Sequence, residues 1–176
     1  LLSPVSAVAA ETLKGVALVI GNGDYQHLSK LENPEHDANG VEELLDKLGF
    51  DTTATADRDA RRLKRDLEGF AEDAEGADVA VLYYSGHGIE AGGRNYLVPV
   101  DADLSSLEDA GESLVAIDAL IEKLKAEVPI VIVMLDACRN NPFPADAVLK
   151  LSPGGEAQSI AVSGLGGSRS AVALNP

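Results

Sequence analysis

Tryptophan is absent from the chain, and cysteine and methionine occur once each. A lone cysteine excludes an internal disulfide and any zinc site built from several thiolates, so cysteine usage carries no information on redox compartment. Basic side chains are scarce: 14 Lys and Arg stand against 29 Asp and Glu, a formal net charge of -15. Such an excess repels polyanions and argues against nucleic acid and anionic membranes as partners. It is compatible with a cationic partner or substrate. Apolar runs are short, none reaching the ~18–20 residues of a membrane-crossing helix, so no membrane insertion is expected. The 176 residues suffice for one domain with a proper core.

Residues 1–13 read as an N-terminal tail unlike the rest. Ala7-Val8-Ala9 is a small-x-small pattern similar to the end of a secretory signal. On that reading the mature protein is periplasmic or secreted. An Ala-rich terminal tail, packed or unstructured, accounts for the same residues and leaves the protein cytoplasmic.

The segment 129–143 organises the remainder. Ile130 to Leu135 is a continuous apolar, β-branched run, the pattern of a parallel strand covered on both faces. It stops at Asp136, and Cys138 follows, then Arg139, two asparagines and Pro142. Other strands are expected at Val16–Ile20, Phe50–Thr55 and Asp78–Tyr84. The loop Gly21-Asn-Gly-Asp24 is rich in residues that tolerate positive φ. It carries neither the P-loop Lys-Ser/Thr nor a G-x-G-x-x-G pattern.

Asn33 and Pro34 open a first helix as cap and first residue. Ala38, Val41, Leu44, Leu45 and Leu48 form its apolar stripe, and Gly49 ends it. A second helix is expected over 57–75, with Ala60, Leu63, Leu67, Phe70 and Ala74 inward. Arg61, Arg62, Lys64 and Arg65 form its solvated face. A hairpin with a Gly92-Gly93 turn returns through Tyr96–Val100. Residues 101–112 are an acidic loop, and Ile117 to Leu124 mark a third helix. Alternating strands and helices imply a three-layer α/β/α sandwich with a mainly parallel sheet. Residues 144–176, rich in Gly, Ser, Ala and Pro, read as a flexible tail or linker with at most a short strand near Ala157–Val162.

Open α/β sheets place ligands at the carboxyl ends of their strands. His87, between Gly86 and Gly88, follows the third of these strands, and Cys138 follows the central one. On neighbouring strands, ~4.8 Å apart, they would share one rim. The thiolate is the nucleophile, and an imidazole can take the thiol proton and pass it to a leaving amine. The N–H groups of Gly88 and Cys138 are natural donors to a developing oxyanion. The competing readings are a core cysteine and a hydrogen-bonded structural histidine. His27 and His36 sit in a polar loop and an acidic first turn, and are expected at the surface.

Tyr84-Ser-Gly-His-Gly88 and Asp136-Ala-Cys-Arg139, each after an apolar strand, resemble the caspase-like cysteine peptidases. The run Asp136-Ala-Cys-Arg-Asn-Asn-Pro-Phe143 is most similar to the bacterial relatives of metacaspases, the orthocaspases. The resemblance covers residues 14–143, the family's large catalytic subunit. It implies a Cys138–His87 dyad with no obligatory third member, acting as a cysteine endopeptidase. It also implies an acidic pocket for Arg or Lys before the scissile bond, formed by Asp37 and Asp136. His36 stands where the family's helix-opening string has asparagine. The partners so implied are proteins or peptides with basic residues.

No cofactor is expected. Asp101, Asp103, Asp109 and Asp118 do not align with a calcium set, and an acidic solvated loop accounts for them. Lys150 and Arg169, the only basic residues after Phe143, are the self-cleavage candidates. Two rivals to the peptidase reading remain. One is a catalytically inactive caspase-like binding or regulatory module; the other is a flavodoxin-like ligand binder with an incidental cysteine.

Overall fold

The computed structural model describes residues 13–91, 94–103, 113–137, 148–150, 157–161 and 169–174. The N-terminal tail pattern at Ala7–Ala9 and the Gly92-Gly93 turn lie outside them. In chain order the elements are β1 (Gly15–Gly21), α1 (Pro34–Lys47), β2 (Asp51–Ala56), α2 (Ala60–Asp73) and β3 (Val79–Gly86). There follow β4 (Gly88–Ala91), β5 (Arg94–Leu97), β6 (Val115–Ala116), α3 (Asp118–Glu127) and β7 (Ile130–Ala137). Last come β8 (Val148–Lys150), β9 (Ala157–Ala161) and β10 (Arg169–Leu174).

The central sheet has the order β10-β7-β3-β1-β2. β2, β1, β3 and β7 are parallel, and β10 closes one edge antiparallel to β7. A second sheet, β6-β5-β4-β9-β8, is antiparallel throughout.

The period of two along each strand sorts side chains between two cores. Val16, Leu18 and Ile20 of β1, Leu82 and Tyr84 of β3, and Val131 and Val133 of β7 pack against Leu63, Leu67 and Phe70 of α2 and Leu124 of α3. Their neighbours on the opposite face, among them Val19, Val81, Tyr83 and Met134, pack with Ala38, Val41 and Leu45 of α1. The result is the expected α/β/α sandwich. β1 and β3 are buried along their whole length because both faces are covered. β7 is buried only at Val131 and Val133, toward α2 and α3; its α1-facing residues are half-buried. β2 is the edge strand: Asp51 and Thr53 are exposed and its other residues are half-buried.

The helix expectations need adjustment at their ends. Asn33 occupies the cap position of α1, but in αR conformation and without a side-chain cap bond; its carbonyl accepts from Asp37 N–H instead. Pro34 lowers the need for a cap, since it has no N–H to satisfy. Leu44 and Leu48, expected inward, are 56% and 65% exposed; the covered face of α1 is the narrower stripe Ala38, Val41 and Leu45. α2 starts at Ala60 rather than 57. Asp57 takes a left-handed φ of 50° and accepts the N–H groups of Gly23 and Asp24. Asp59 then caps α2 by accepting from Arg62 N–H at 2.7 Å. In the loop after β1, positive φ is not what the glycines supply. A Cβ on Gly21 would stand 2.4 Å from the Pro34 carbonyl oxygen, so glycine is required there for close approach.

The expectation for residues 144–176 is corrected. β8, β9 and β10 lie in this stretch, and β10 pairs along β7 from Arg169↔Leu135 to Leu174↔Ile130. The short strand expected near Ala157 is β9. β8 spans only three residues, too few to show an alternation, and β10 is rich in alanine, which has weak strand preference; their order comes from the strands they pair with.

Candidate active site

The register of the two central parallel strands sets the geometry. β3 and β7 pair with Ser85↔Asp136 and Gly86↔Ala137. The residues directly before His87 and Cys138 are therefore opposite one another at the carboxyl end of the sheet. Cys138 and Arg139 lie outside the described residues.

His87 is buried, at 4% exposure. Its Nε2 lies 2.9 Å from the Ser29 carbonyl oxygen. A carbonyl can only accept, so Nε2 carries the proton and, in the neutral ring, Nδ1 carries the lone pair. Burial lowers the His87 pKa below the ordinary 6.5, and the Ser29 hydrogen bond opposes that shift. The neutral imidazole, the form able to accept a proton, is thus favoured. The Tyr25 ring lies against the imidazole with centroids 4.5 Å apart and planes at 50°.

The backbone of His87 is held as firmly as its ring. Its N–H donates to Tyr25 Oη at 2.7 Å, and its carbonyl accepts from Tyr84 Oη at 2.7 Å and from Val98 N–H at 3.1 Å. Burial, with the Tyr25 hydroxyl beside it, pushes the Tyr84 phenol well above its ordinary value, so it stays protonated and can donate. Gly86 is required here: a Cβ would meet Tyr84 Oη at 2.6 Å and Tyr25 Oη at 2.8 Å. A Cβ on Gly88 would meet that of Ala137 at 3.0 Å, a measure of how closely β4 approaches the end of β7.

On the α1 side of the same sheet end lies an acidic cluster. Asp37 is in the first turn of α1, and Asp136 shares the face of Met134 by strand alternation. Tyr83 lies near both. Its phenol is raised by burial first, then by the charges of Asp136 and Asp37, with an opposing hydrogen bond from Ser85. The two carboxylates named from the resemblance therefore act on one buried tyrosine. Asp37 is partly exposed, with His36 Nδ1 at 3.8 Å from its Oδ1.

His27 and His36 are both exposed, away from any such setting. Of the acidic loop, Asp101 Oδ1 accepts from Ala60 N–H at 2.9 Å, and Asp109 lies outside the described residues. Among the described residues no three His, Cys, Asp or Glu side chains gather as a metal site would need. Lys150 ends β8 and Arg169 begins β10.

Tyr25, Ser29 and Tyr84 were not singled out from the sequence. The available signal was topological: β1 neighbours β3, so the loop after β1 must pass beside the residue that follows β3.

The Caspase domain family model matches residues 14–169, and the chain belongs to this family of caspase-like cysteine peptidases. The match extends beyond the expected end at residue 143, to the start of β10. Among curated proteins, human mucosa-associated lymphoid tissue lymphoma translocation protein 1 is 29% identical over 125 residues, 70% of this chain but 15% of that protein. Canis lupus familiaris caspase-12 is 31% identical over 75 residues, 42% of this chain and 19% of that protein. Among solved structures, the Drosophila initiator caspase Dronc aligns with a TM-score of 0.53 at 13% identity, covering 72% of this chain and 56% of that one. A Geobacter sulfurreducens protein aligns with the same score at 21% identity, covering 71% and 50%. The chain thus spans only a small part of the curated relatives it matches, and at these identities the solved structures speak for the fold alone.

Proposed function

We propose that the chain is a cysteine endopeptidase of the metacaspase-like, orthocaspase type, cutting after Arg or Lys with Cys138 as nucleophile and His87 as base. The observation that supports this reading is the register Gly86↔Ala137: the residues before His87 and Cys138 pair at adjacent strand ends. His87 Nδ1 takes the thiol proton, and Cys138 Sγ attacks the scissile carbonyl carbon. The tetrahedral intermediate collapses to a thioester as the imidazolium returns the proton to the leaving amine; water then hydrolyses the thioester. The Ser29 carbonyl supports this role by fixing the proton on Nε2.

Gly88 and Cys138 N–H groups are the proposed oxyanion donors. Val98 N–H donates to the His87 carbonyl, so Gly88↔Leu97 is a pair without mutual hydrogen bonds. Gly88 N–H is therefore turned away from β5, as a donor to substrate requires.

A peptide panel varying only the residue before the cleavable bond tests the function. Turnover of Arg and Lys peptides, with thiol-probe labelling of Cys138, is expected. Labelling without turnover of any peptide would favour the inactive binding module. Neither labelling nor turnover would remove the dyad.

Self-processing is expected after Lys150 rather than Arg169. Arg169 is the first β10 residue, paired with Leu135 in the central sheet, and cutting there requires that edge to open. Lys150 ends the three-residue β8, held by β9 alone among the described strands. Mass spectrometry of incubated wild-type protein, with Cys138→Ala as control, should show a fragment ending at Lys150. Cleavage only after Arg169, or equally in the control, would contradict this.

A further inference from the structure

His87 is gripped from two sides by one loop. Residues 22–33 connect β1 to α1, and the loop is pinned internally, with Tyr25 N–H and Leu31 N–H both donating to the Gly23 carbonyl at 3.0 Å. It is also pinned to the segment that follows β5, where Gln26 N–H donates to the Val100 carbonyl at 2.8 Å. From this frame Ser29 presents its carbonyl to His87 Nε2, and Tyr25 presents both its hydroxyl and its ring face. Tyr25 is only 1% exposed, although it lies between exposed loop residues, Asp24 and Gln26.

The hydroxyl of Tyr25 has a role no apolar residue could fill. It accepts the His87 N–H at 2.7 Å and lies 3.3 Å from both the Val98 carbonyl oxygen and Tyr84 Oη. His87 sits between β3 and β4, outside both strands, so its N–H is not placed by a ladder bond of either strand. Tyr84 Oη completes the arrangement by donating to the His87 carbonyl, 2.7 Å away. The two phenols therefore hold the two backbone polar groups of one residue, and the Tyr25 ring limits the swing of its imidazole.

We propose that Tyr25 is a positioning residue for the catalytic histidine: its hydroxyl fixes the His87 backbone and its ring holds the imidazole so that Nε2 stays on the Ser29 carbonyl and Nδ1 keeps its lone pair for the thiol proton. This deepens, and rests on, the reading of His87 as the base. The burial of His87 agrees with it, since a ring free to swing would reach water. A chain needing only a space-filling aromatic could use phenylalanine here; the phenol oxygen is what the His87 N–H requires, because a buried donor without a partner is costly.

The test uses two substitutions in the full chain. Tyr25→Phe keeps the ring and removes the hydroxyl; Tyr25→Leu removes both. The first readout is the Nε2–H proton of His87 by nuclear magnetic resonance in the resting protein, which needs no turnover. Wild type should show a downfield, slowly exchanging signal from the bond to Ser29. Tyr25→Phe should broaden it, and Tyr25→Leu abolish it. The second readout is kcat per active site titrated with a thiol probe. Tyr25→Phe should lower it about tenfold, the scale of one buried hydrogen bond, with KM changed less than twofold.

A merely structural tyrosine would lower the melting temperature while leaving the signal and kcat per titrated site at wild-type values, and that result would overturn the proposal. So would absence of the Nε2–H signal from the wild-type protein. If Tyr25→Leu fails to fold, Tyr25→Phe alone decides. If the wild type turns over no peptide, the peptidase reading fails, while the resonance still decides whether Tyr25 positions His87.

Discussion

His87→Ala is expected to lower turnover of an arginyl peptide by at least ~10²-fold, the usual worth of a positioned acid–base group. Cys138→Ala is expected to abolish it. Far-ultraviolet circular dichroism should be unchanged in both, since the sheet is built from β1, β3 and β7 without either side chain. The two losses have different origins. Without Cys138 there is no nucleophile; without His87 a thiol of pKa ~8.5 still ionises to a few per cent at neutral pH. The His87→Ala enzyme should therefore recover part of its rate as pH rises, whereas Cys138→Ala should not.

The acid limb of the wild-type profile carries a sign as well. Burial holds the His87 pKa below 6.5, so its imidazole stays neutral to lower pH than a solvated histidine would. Activity should fall only as pH drops through that lowered value. An acid limb centred above 6.5 would show either that His87 is not the base or that substrate and thiolate charge dominate its titration. Normal turnover of His87→Ala alongside an inactive His27→Ala or His36→Ala would mean that another histidine serves.

The strand ends that frame the candidate site were legible because they carry their own punctuation. Ile130–Leu135 and Asp78–Tyr84 are apolar runs that stop at Asp136 and Ser85, and the topology makes them neighbours. That alone aligns the residues before His87 and Cys138. What was not legible depends on packing across the chain. Tyr25 lies 62 residues from His87, in a loop whose composition is mostly polar, and nothing local reveals that its ring is buried. Ser29 contributes a backbone carbonyl, which any residue type could supply, so its identity carries no signal.

Leu44 and Leu48 illustrate the opposite failure. Their spacing fits an apolar stripe on α1, but periodicity cannot tell how wide a stripe its neighbours cover: Leu45, between them, is buried while they are not. β10 fails for a third reason: Arg-Ser-Ala-Val-Ala-Leu is a weak strand by composition and exists as the antiparallel neighbour of β7. A tail of short, small residues is read as a loop until its partner strand is known.

The specificity expectation turns on the acidic side of the sheet end. Arg peptides should be preferred over Lys, and Asp peptides rejected. Asp37 comes from the first turn of α1 and Asp136 from the end of β7, and both bear on the buried Tyr83 phenol. A guanidinium can bridge two carboxylates through separate N–H groups, whereas an ammonium acts as a compact point charge. An Asp side chain in the same place meets only like charge.

Each carboxylate also has an ordinary explanation. The helix macrodipole favours Asp37 where it stands, and Asp136 could serve the loop that follows. Those explanations predict a loss of stability on substitution and no change in preference. A shared pocket predicts the reverse. Removing a carboxylate that pairs with a desolvated cation costs on the order of 2–5 kcal/mol, where each 1.4 kcal/mol is about tenfold in kcat/KM. Asp136, half-buried beside Tyr83, should lie toward the upper part of that range. Asp37, whose side chain is 42% exposed, should lie toward the lower part because water screens it. The specificity constants of Arg, Lys and Asp peptides on wild type, Asp136→Ala and Asp37→Ala decide the matter. Arg cleavage untouched by both substitutions, or a wild-type preference for Asp, would eliminate the pocket. A fall in Arg cleavage with no fall in melting temperature would separate recognition from structure.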